Sequence, residues 1–257
     1  MHDEAVVIQP LRSAADAEQA YCCMADVPTP WPQSLCLCRE WVARNLGTHL
    51  EGYHVRLAGG EVVGHLYYAL SERALFSYEV ETGVGVLYCE WIQRRHQGKG
   101  LGTRLFSTFL DEMRRANAKG IVVECADGES QMSSRHYLRR GFGEICQTGH
   151  RRLLYLPLAR PRVEVRPRQL QIRPRRGVPV EILILNGCMC PYDVSSQVLV
   201  REVAREFGDQ VIVLEPPVTG ETLREYGTVQ GLFINGRAKL TGAESEEQVR
   251  QAIQEEL

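Results

Sequence analysis

The chain has 257 residues, 44% of them hydrophobic and 24% charged, with a formal net charge of -2. This is ordinary soluble composition with enough chain for one large or two modest cores. The small charge gives no general reason to expect nucleic acid or an anionic membrane as partner. No apolar run approaches spanning length, and the start, Met1-His2-Asp3-Glu4, lacks the basic-then-apolar layout of a signal peptide, so a cytoplasmic protein is expected. Nine cysteines, at 22, 23, 36, 38, 89, 125, 146, 188 and 190, are then read as reduced thiols rather than a disulfide framework.

In chain order, Val6-Val7-Ile8 is a short β run and Ser13 to Met24 has helix-like composition. His54–Leu57, the glycine turn Ala58-Gly59-Gly60 and Glu61–Leu70 predict a hairpin. Val84 to Ile92 is rich in strand-forming residues, and Leu105, Phe109 and Met113 give Thr103–Ala118 helical spacing, closing at Gly120. Ile121–Cys125 reads as a buried strand, Met132–Arg140 as a short helix ending at Gly141, and Leu153–Leu158 as a further strand. The pattern is α+β with a mixed sheet.

Residues 159–179 stand apart. Four prolines and seven arginines predict an extended, self-repelling linker between residues 1–158 and residues 180–257, with the alternation at Val163-Glu164-Val165 and at Leu170-Gln171-Ile172 able to pair as an edge strand. A basic nucleic-acid patch is disfavoured because no aromatics interleave. Beyond it, Glu181–Leu185 is a near-continuous apolar strand, followed by a helix over Val194–Phe207 and strands at Val211–Leu214 and Leu232–Ile234. Asn235-Gly236 marks a hairpin turn, and Ser245 with Gln248 forms a capping box opening the last helix.

The chemistry concentrates in Gln97-Gly98-Lys99-Gly100-Leu101-Gly102-Thr103, between a strand and a helix. Glycines there bring several N–H groups toward one point, the helix N-terminus adds its unpaired donors, and Lys99 adds a charge at the rim, so the turn suits a pyrophosphate. The spacing fits neither a P-loop nor a dinucleotide fingerprint.

Gln97-x-x-Gly100-x-Gly102 resembles the acetyl-CoA signature Gln/Arg-x-x-Gly-x-Gly/Ala of GNAT acetyltransferases, and Tyr137-Leu138-Arg139-Arg140-Gly141-Phe142 resembles their second landmark, Tyr-x-x-x-Gly-Phe. The resemblance covers residues 5 to 158. It implies the GNAT acyl-CoA N-acyltransferase fold, a mixed and mostly antiparallel sheet with flanking helices. It also implies acetyl-CoA as cosubstrate and direct transfer in a ternary complex to an amine on a small molecule or peptide. The backbone at Trp91 and Ile92 would pair with pantetheine, while Gln97, Gly98, Lys99, Gly100, Leu101, Gly102 and Thr103 would form the pyrophosphate loop. Tyr137 would protonate or hold the leaving thiolate. Glu90 is the candidate general base, because an ammonium has no lone pair to attack a thioester; a solvated strand carboxylate is its rival reading. The family's proline after this strand is replaced by Gln93-Arg94-Arg95-His96, and Cys89 either faces the acetyl group or fills the core as an inert thiol.

The tail resembles the thioredoxin/glutaredoxin fold, a small α/β domain. Cys190-Pro191-Tyr192-Asp193 is similar to Cys-Pro-Tyr-Cys with Asp193 in place of the second cysteine, and Thr228-Val229-Gln230 to Thr-Val-Pro with Gln230 in place of the proline. The combination is similar to GNAT proteins with a YoaP-like C-terminal domain. Cys188 and Cys190 are the candidate redox thiols, and a thiol redox or sensing protein with a CoA-binding module is the alternative function. No zinc-type Cys-x-x-Cys pairing exists, so no metal is expected; the rival reading is that Cys22, Cys23, Cys36, Cys38 and Cys89 converge as soft ligands for zinc or copper(I). The oligomeric state stays open, a homodimer included.

Overall fold

A computed structural model describes residues 5–127, 133–148, 151–174, 180–187, 189–240 and 245–257. The chain divides into two compact units: Met1–Pro28, Arg39–Ala74 and Val80–Val165 form the first, and Thr29–Cys38, Leu75–Glu79 and Arg166–Leu257 the second. No helix among the described residues is long and apolar enough to cross a membrane.

The first unit is built on seven strands: β1 (Val6–Pro10), β2 (Glu51–Leu57), β3 (Val62–Leu70), β5 (Val84–Ile92), β6 (Gly120–Ala126), β7 (Gly143–Thr148) and β8 (Arg151–Pro157), ordered β1-β2-β3-β5-β6-β8-β7. All neighbours are antiparallel except β5 and β6. A separate short pair joins β4 (Tyr78–Val80) to β9 (Val165–Pro167). The helices are α1 (Ala14–Ala17), α3 (Leu101–Arg115) and α4 (Ser134–Leu138), together with the Arg39–Asn45 part of α2 (Pro32–Asn45), whose opening residues belong to the second unit.

Helix α3 covers one face of the sheet. Its apolar positions Leu101, Leu105, Phe109 and Met113 recur at four-residue intervals and are buried against Tyr53, Val55, Leu66, Tyr68, Leu87 and Val123. Apolar burial on this scale, at roughly 2 kcal/mol per large side chain, is what holds the helix N-terminus in place over β5.

The opposite face is dry but polar. His54 and His65, both about 1% exposed or less, lie beside Tyr67, whose ring stacks on His65 at 4.6 Å. The Tyr67 hydroxyl accepts the backbone N–H of Tyr21 at 3.1 Å and meets His54 Nε2 at 3.3 Å. These bonds satisfy groups that would otherwise be costly to bury.

The helix expected over Ser13–Met24 is broken. Ser13 and Asp16 form a capping box, but α1 ends at Ala17, Tyr21 turns left-handed (φ 65°), and Cys22–Ala25 makes a single 3-10 turn. The left-handed turn lets the Tyr21 ring pack edge-on against His65 and Tyr67, so tertiary packing overrides local propensity. Helix α2, whose proline-rich approach hid it from composition, opens with Pro32 in its first turn, where a missing N–H costs nothing.

In the second unit β10 (Val180–Leu185) is central, parallel to β11 (Val211–Leu214) and antiparallel to β12 (Gly231–Ile234), which pairs with β13 (Arg237–Leu240), in order β11-β10-β12-β13. The helices are α5 (Pro191–Ala204), α6 (Gly220–Tyr226) and α7 (Glu246–Gln254), and Ser245 and Gln248 form the expected capping box. Ile182, Ile184 and Ile234 meet Val200, Val203, Val249 and Ile253 in the core.

Residues 166–174, expected as part of a spacer, are packed. Ile172 joins Leu183, Leu185 and Phe233 in a second apolar cluster, and Gln171 donates its N–H to Tyr226 O at 3.0 Å. Gly227 (φ 74°) is required where it stands, because a Cβ there would lie 1.9 Å from Gln169 O. Proline and arginine exclude a helix, but they do not prevent an extended chain from lying on a sheet face. Residues 175–179 of the expected linker lie outside the described residues.

Burial pulls His54 down to about 4 and His65 to about 3 from an ordinary 6.5. The unfolded chain therefore binds more protons below pH 6.5, and stability falls as pH drops from 6.5 toward those values. By pH 5 the loss is about 2 kcal/mol for each histidine. The urea midpoint should fall measurably between pH 7 and 5, and His54→Gln should remove about half of that drop.

Candidate active site

The parallel register of β5 and β6 covers only Val84–Leu87 against Gly120–Val123, while β6 goes on pairing with β8 through Ala126. The two strands thus part after Leu87. A bulge lies at the same point: β3 pairs Tyr68 with Leu87 but Tyr67 with Cys89, leaving Tyr88 as the extra residue. The extra residue reverses the alternation. Leu87 packs toward α3, and so do Glu90 and Ile92, which pair with Leu66 and Gly64, whereas Cys89 and Trp91 pair with Tyr67 and His65 on the other face.

A cleft of about 430 Å³ opens beside this parting. Of the residues expected from the sequence, Glu90, Trp91, Ile92, Gln97, Gly98, Gly100, Leu101, Gly102, Thr103 and Tyr137 all line it. Lys99 is exposed and is not among the lining residues. The loop's form follows from its sequence. Gly98 (φ 74°) and Gly100 (φ 77°) take left-handed conformations that side chains disfavour, and Gly100 caps α3. Gln97 Nε2 donates to Ile92 O at 2.9 Å, tying the loop back to the strand it leaves. The N–H groups of the first α3 turn therefore face the cleft together with the positive end of the helix dipole. Where the family's proline would stand, Arg94–His96 forms a 3-10 turn, and Asp26 accepts both the Arg94 N–H at 2.9 Å and Trp91 Nε1–H at 2.8 Å.

Tyr137 sits on α4, 1% exposed. Gly141 (φ 90°) turns the chain so that Phe142 returns its N–H to Tyr137 O at 3.2 Å and packs edge-on against the tyrosine ring at 5.3 Å. Burial first, then the charges of Glu90 and Cys89, push the Tyr137 hydroxyl well above its ordinary value, so it remains a neutral donor.

Glu90 is 8% exposed and is not a solvated strand carboxylate. Arg140 Nη1 donates to Glu90 Oε2 at 2.6 Å, Arg140 Nη2 donates to Gly102 O at 3.3 Å, and the guanidinium carbon lies 4.2 Å from the centre of the Phe106 ring. His136 Nε2 stands 3.9 Å from the same carboxylate oxygen. Arg140 and His136 line the cleft and were not expected from the sequence. The signal was present in the landmark's variable positions, which a pattern of fixed residues leaves blank.

Among the described residues no group of three or more His, Cys, Asp or Glu side chains could hold an ion. Cys36 is exposed, Cys38 buried and Cys125 buried, while Cys22 and Cys89 flank His65. In the second unit Cys190 precedes α5 as its N-cap, and Gln230 Nε2 donates to Asp193 Oδ2. Cys188, the other candidate redox thiol, lies outside the described residues.

If Glu90 serves mainly to hold Arg140 against the helix N-terminus, Glu90→Gln should weaken acetyl-CoA binding about tenfold in calorimetry while leaving turnover at saturation within a few-fold. A general base would show the reverse, a loss of kcat of about 100-fold with affinity kept. Arg140→Met should cost about 2–4 kcal/mol in urea unfolding, since it removes the guanidinium from a buried carboxylate.

The profile of the Acetyltransferase (GNAT) family matches residues 19–143. Among solved structures, the chain is similar to a GNAT family acetyltransferase from Brucella melitensis in complex with acetyl-CoA (22% identity, 63% of this chain and 95% of that one, TM-score 0.41). It is also similar to the ribosomal-protein-S18-alanine N-acetyltransferase of Escherichia coli (16% identity, 60% and 95%, TM-score 0.44). A probable thioredoxin of Methanothermobacter thermautotrophicus is 34% identical over 82 residues, which are 30% of this chain and 96% of that protein. Residues 19–143 thus form an acetyltransferase domain of the GNAT family.

Proposed function

We propose that the protein binds acetyl-CoA in the cleft between β5 and α4 and transfers its acetyl group directly to an amine carried by a small molecule or a peptide. The observation that carries this reading is the cradle at the start of α3, where two left-handed glycines and a helix N-terminus converge beside the parted strands. The pyrophosphate lies on the N–H groups of residues 98–103, and Arg140 adds a held positive charge next to Gly102. The pantetheine arm follows β5 at Trp91 and Ile92. The amine attacks as the free base, and Glu90, with Arg140 on its carboxylate, positions that guanidinium rather than taking the amine's proton.

Tyr137 stabilises the leaving thiolate. A phenol whose pKa is pushed up by burial yields its proton reluctantly, so a strong hydrogen bond to the sulfur suits it better than complete transfer. For the second unit we infer a thioredoxin-like domain, supported by its sheet order and by the similarity to the thioredoxin. Its contribution is structural or acceptor-directed, because the dithiol pattern is incomplete.

Calorimetry of the reduced protein should give micromolar acetyl-CoA binding. Gly100→Glu, which places a carboxylate in the cradle at a left-handed position, should abolish it while circular dichroism stays unchanged. Wild-type affinity in that variant would remove the cradle from the reading. Tyr137→Phe should lower kcat about 100-fold, with a KM for acetyl-CoA within a few-fold of wild type.

A further inference from the structure

Cys22, His65 and Cys89 form a continuous chain on the sheet face opposite α3. Cys22 Sγ lies 3.2 Å from His65 Nδ1, and Cys89 Sγ lies 3.3 Å from His65 Nε2. The imidazole is fully buried between them, stacked on Tyr67 and met edge-on by Tyr21, so its orientation is set. Two thiols on opposite edges of one ring cannot share an ion. They do place a nucleophile, a base and a group that orients the base in one line.

The position of Cys89 is what makes this chain chemical. It is the first residue past the bulge, where β5 has left β6, and its neighbours Glu90, Trp91 and Ile92 line the cofactor cleft. Trp91, on the same face of β5 as Cys89, lines that cleft. Cys89 is half-buried, whereas Cys125 sits in the core, where burial pushes its thiol up to about 11.

We propose that Cys89 is a self-acetylation site: without an amine, its thiol takes the acetyl group from bound acetyl-CoA, with His65 as base and Cys22 orienting the ring. With a hydrogen on Nδ1 directed at Cys22, Nε2 is bare and faces Cys89. The Cys89 S–H proton passes to Nε2 as the sulfur attacks the acetyl carbonyl. The bond from the acetyl carbon to the CoA sulfur breaks, and the departing thiolate collects the proton from His65. The products are S-acetyl-Cys89 and CoA, one thioester replacing another, with no change of oxidation state. Burial holds the imidazole far below its ordinary value, so the proton reaches Nε2 and leaves for the departing thiolate in one concerted step, with no imidazolium formed. An amine entering the site competes for the same carbonyl, so the modification marks the idle enzyme.

This inference rests on acetyl-CoA being the cosubstrate. The test is intact-mass measurement and peptide mapping of the reduced full-length protein after incubation with acetyl-CoA alone, with calorimetry of the same samples. One acetyl group on Cys89, removed by hydroxylamine and absent in Cys89→Ala, is expected. Cys22→Ala, a small change at the far end of the chain, should slow its appearance about tenfold, and His65→Asn about 100-fold. Binding of acetyl-CoA without acetylation, or labelling that falls on exposed Cys36 instead, would overturn the self-acetylation while leaving the transferase reading intact. Absence of binding would overturn both.

Discussion

The catalytic geometry depends on one irregularity, the bulge that places Tyr88 between the β3 partners of Leu87 and Cys89. A bulge adds a residue and sharpens the local twist, so β5 both leaves β6 and reverses which of its side chains face α3. Without it, Cys89 would point like Leu87 into the apolar layer beneath α3, and Glu90 would point away from the glycine loop. With it, Glu90 faces Gly102 and Arg140, while Cys89 faces His65. The distribution of groups between the two faces of the sheet follows from that parity change, and so does the cleft.

The loop can act only because α3 is immobilised. Its N-terminal N–H groups are a ready anion site whenever the helix is held, and the row Leu105, Phe109 and Met113 holds it. Phe142 and Phe106 extend the same apolar layer to α4, where Phe142 supports Tyr137 and Phe106 underlies Arg140. The two landmarks of the family, about 35 residues apart in the chain, are thereby one packed object.

Much of the fold was legible because its signals are local: the hairpin at Gly60, the spacing of α3, the glycine loop and the capping box at Ser245 each need only neighbouring residues. What stayed hidden depends on contacts distant in sequence. The bulge at Tyr88 is invisible because alternation through Leu87, Cys89 and Trp91 reads as one face. Arg140 becomes a cleft residue only once α4 is laid beside β5. Tyr21 breaks a helix-like run because of rings more than forty residues away. Cys89 was read as either facing the acetyl group or filling the core, and its partner His65, 24 residues earlier, is a contact that alternation alone does not show.

The second unit shows a similar dependence between distant positions. In the family it resembles, the positions of Asp193 and Gln230 carry a second thiol and a proline, and each replacement alone looks like a loss. Here the two replacements meet: the Gln230 carboxamide donates to the Asp193 carboxylate. Asp193 lies in the first turn of α5, where the helix dipole favours its charge, and Gln230 also returns its N–H to Thr228 Oγ1 at 3.2 Å. A carboxylate cannot close a disulfide with Cys190, but it can pin the loop before β12 to the start of α5. The pair thereby fixes the approach to β12 against the first turn of α5, two segments nearly forty residues apart in the chain.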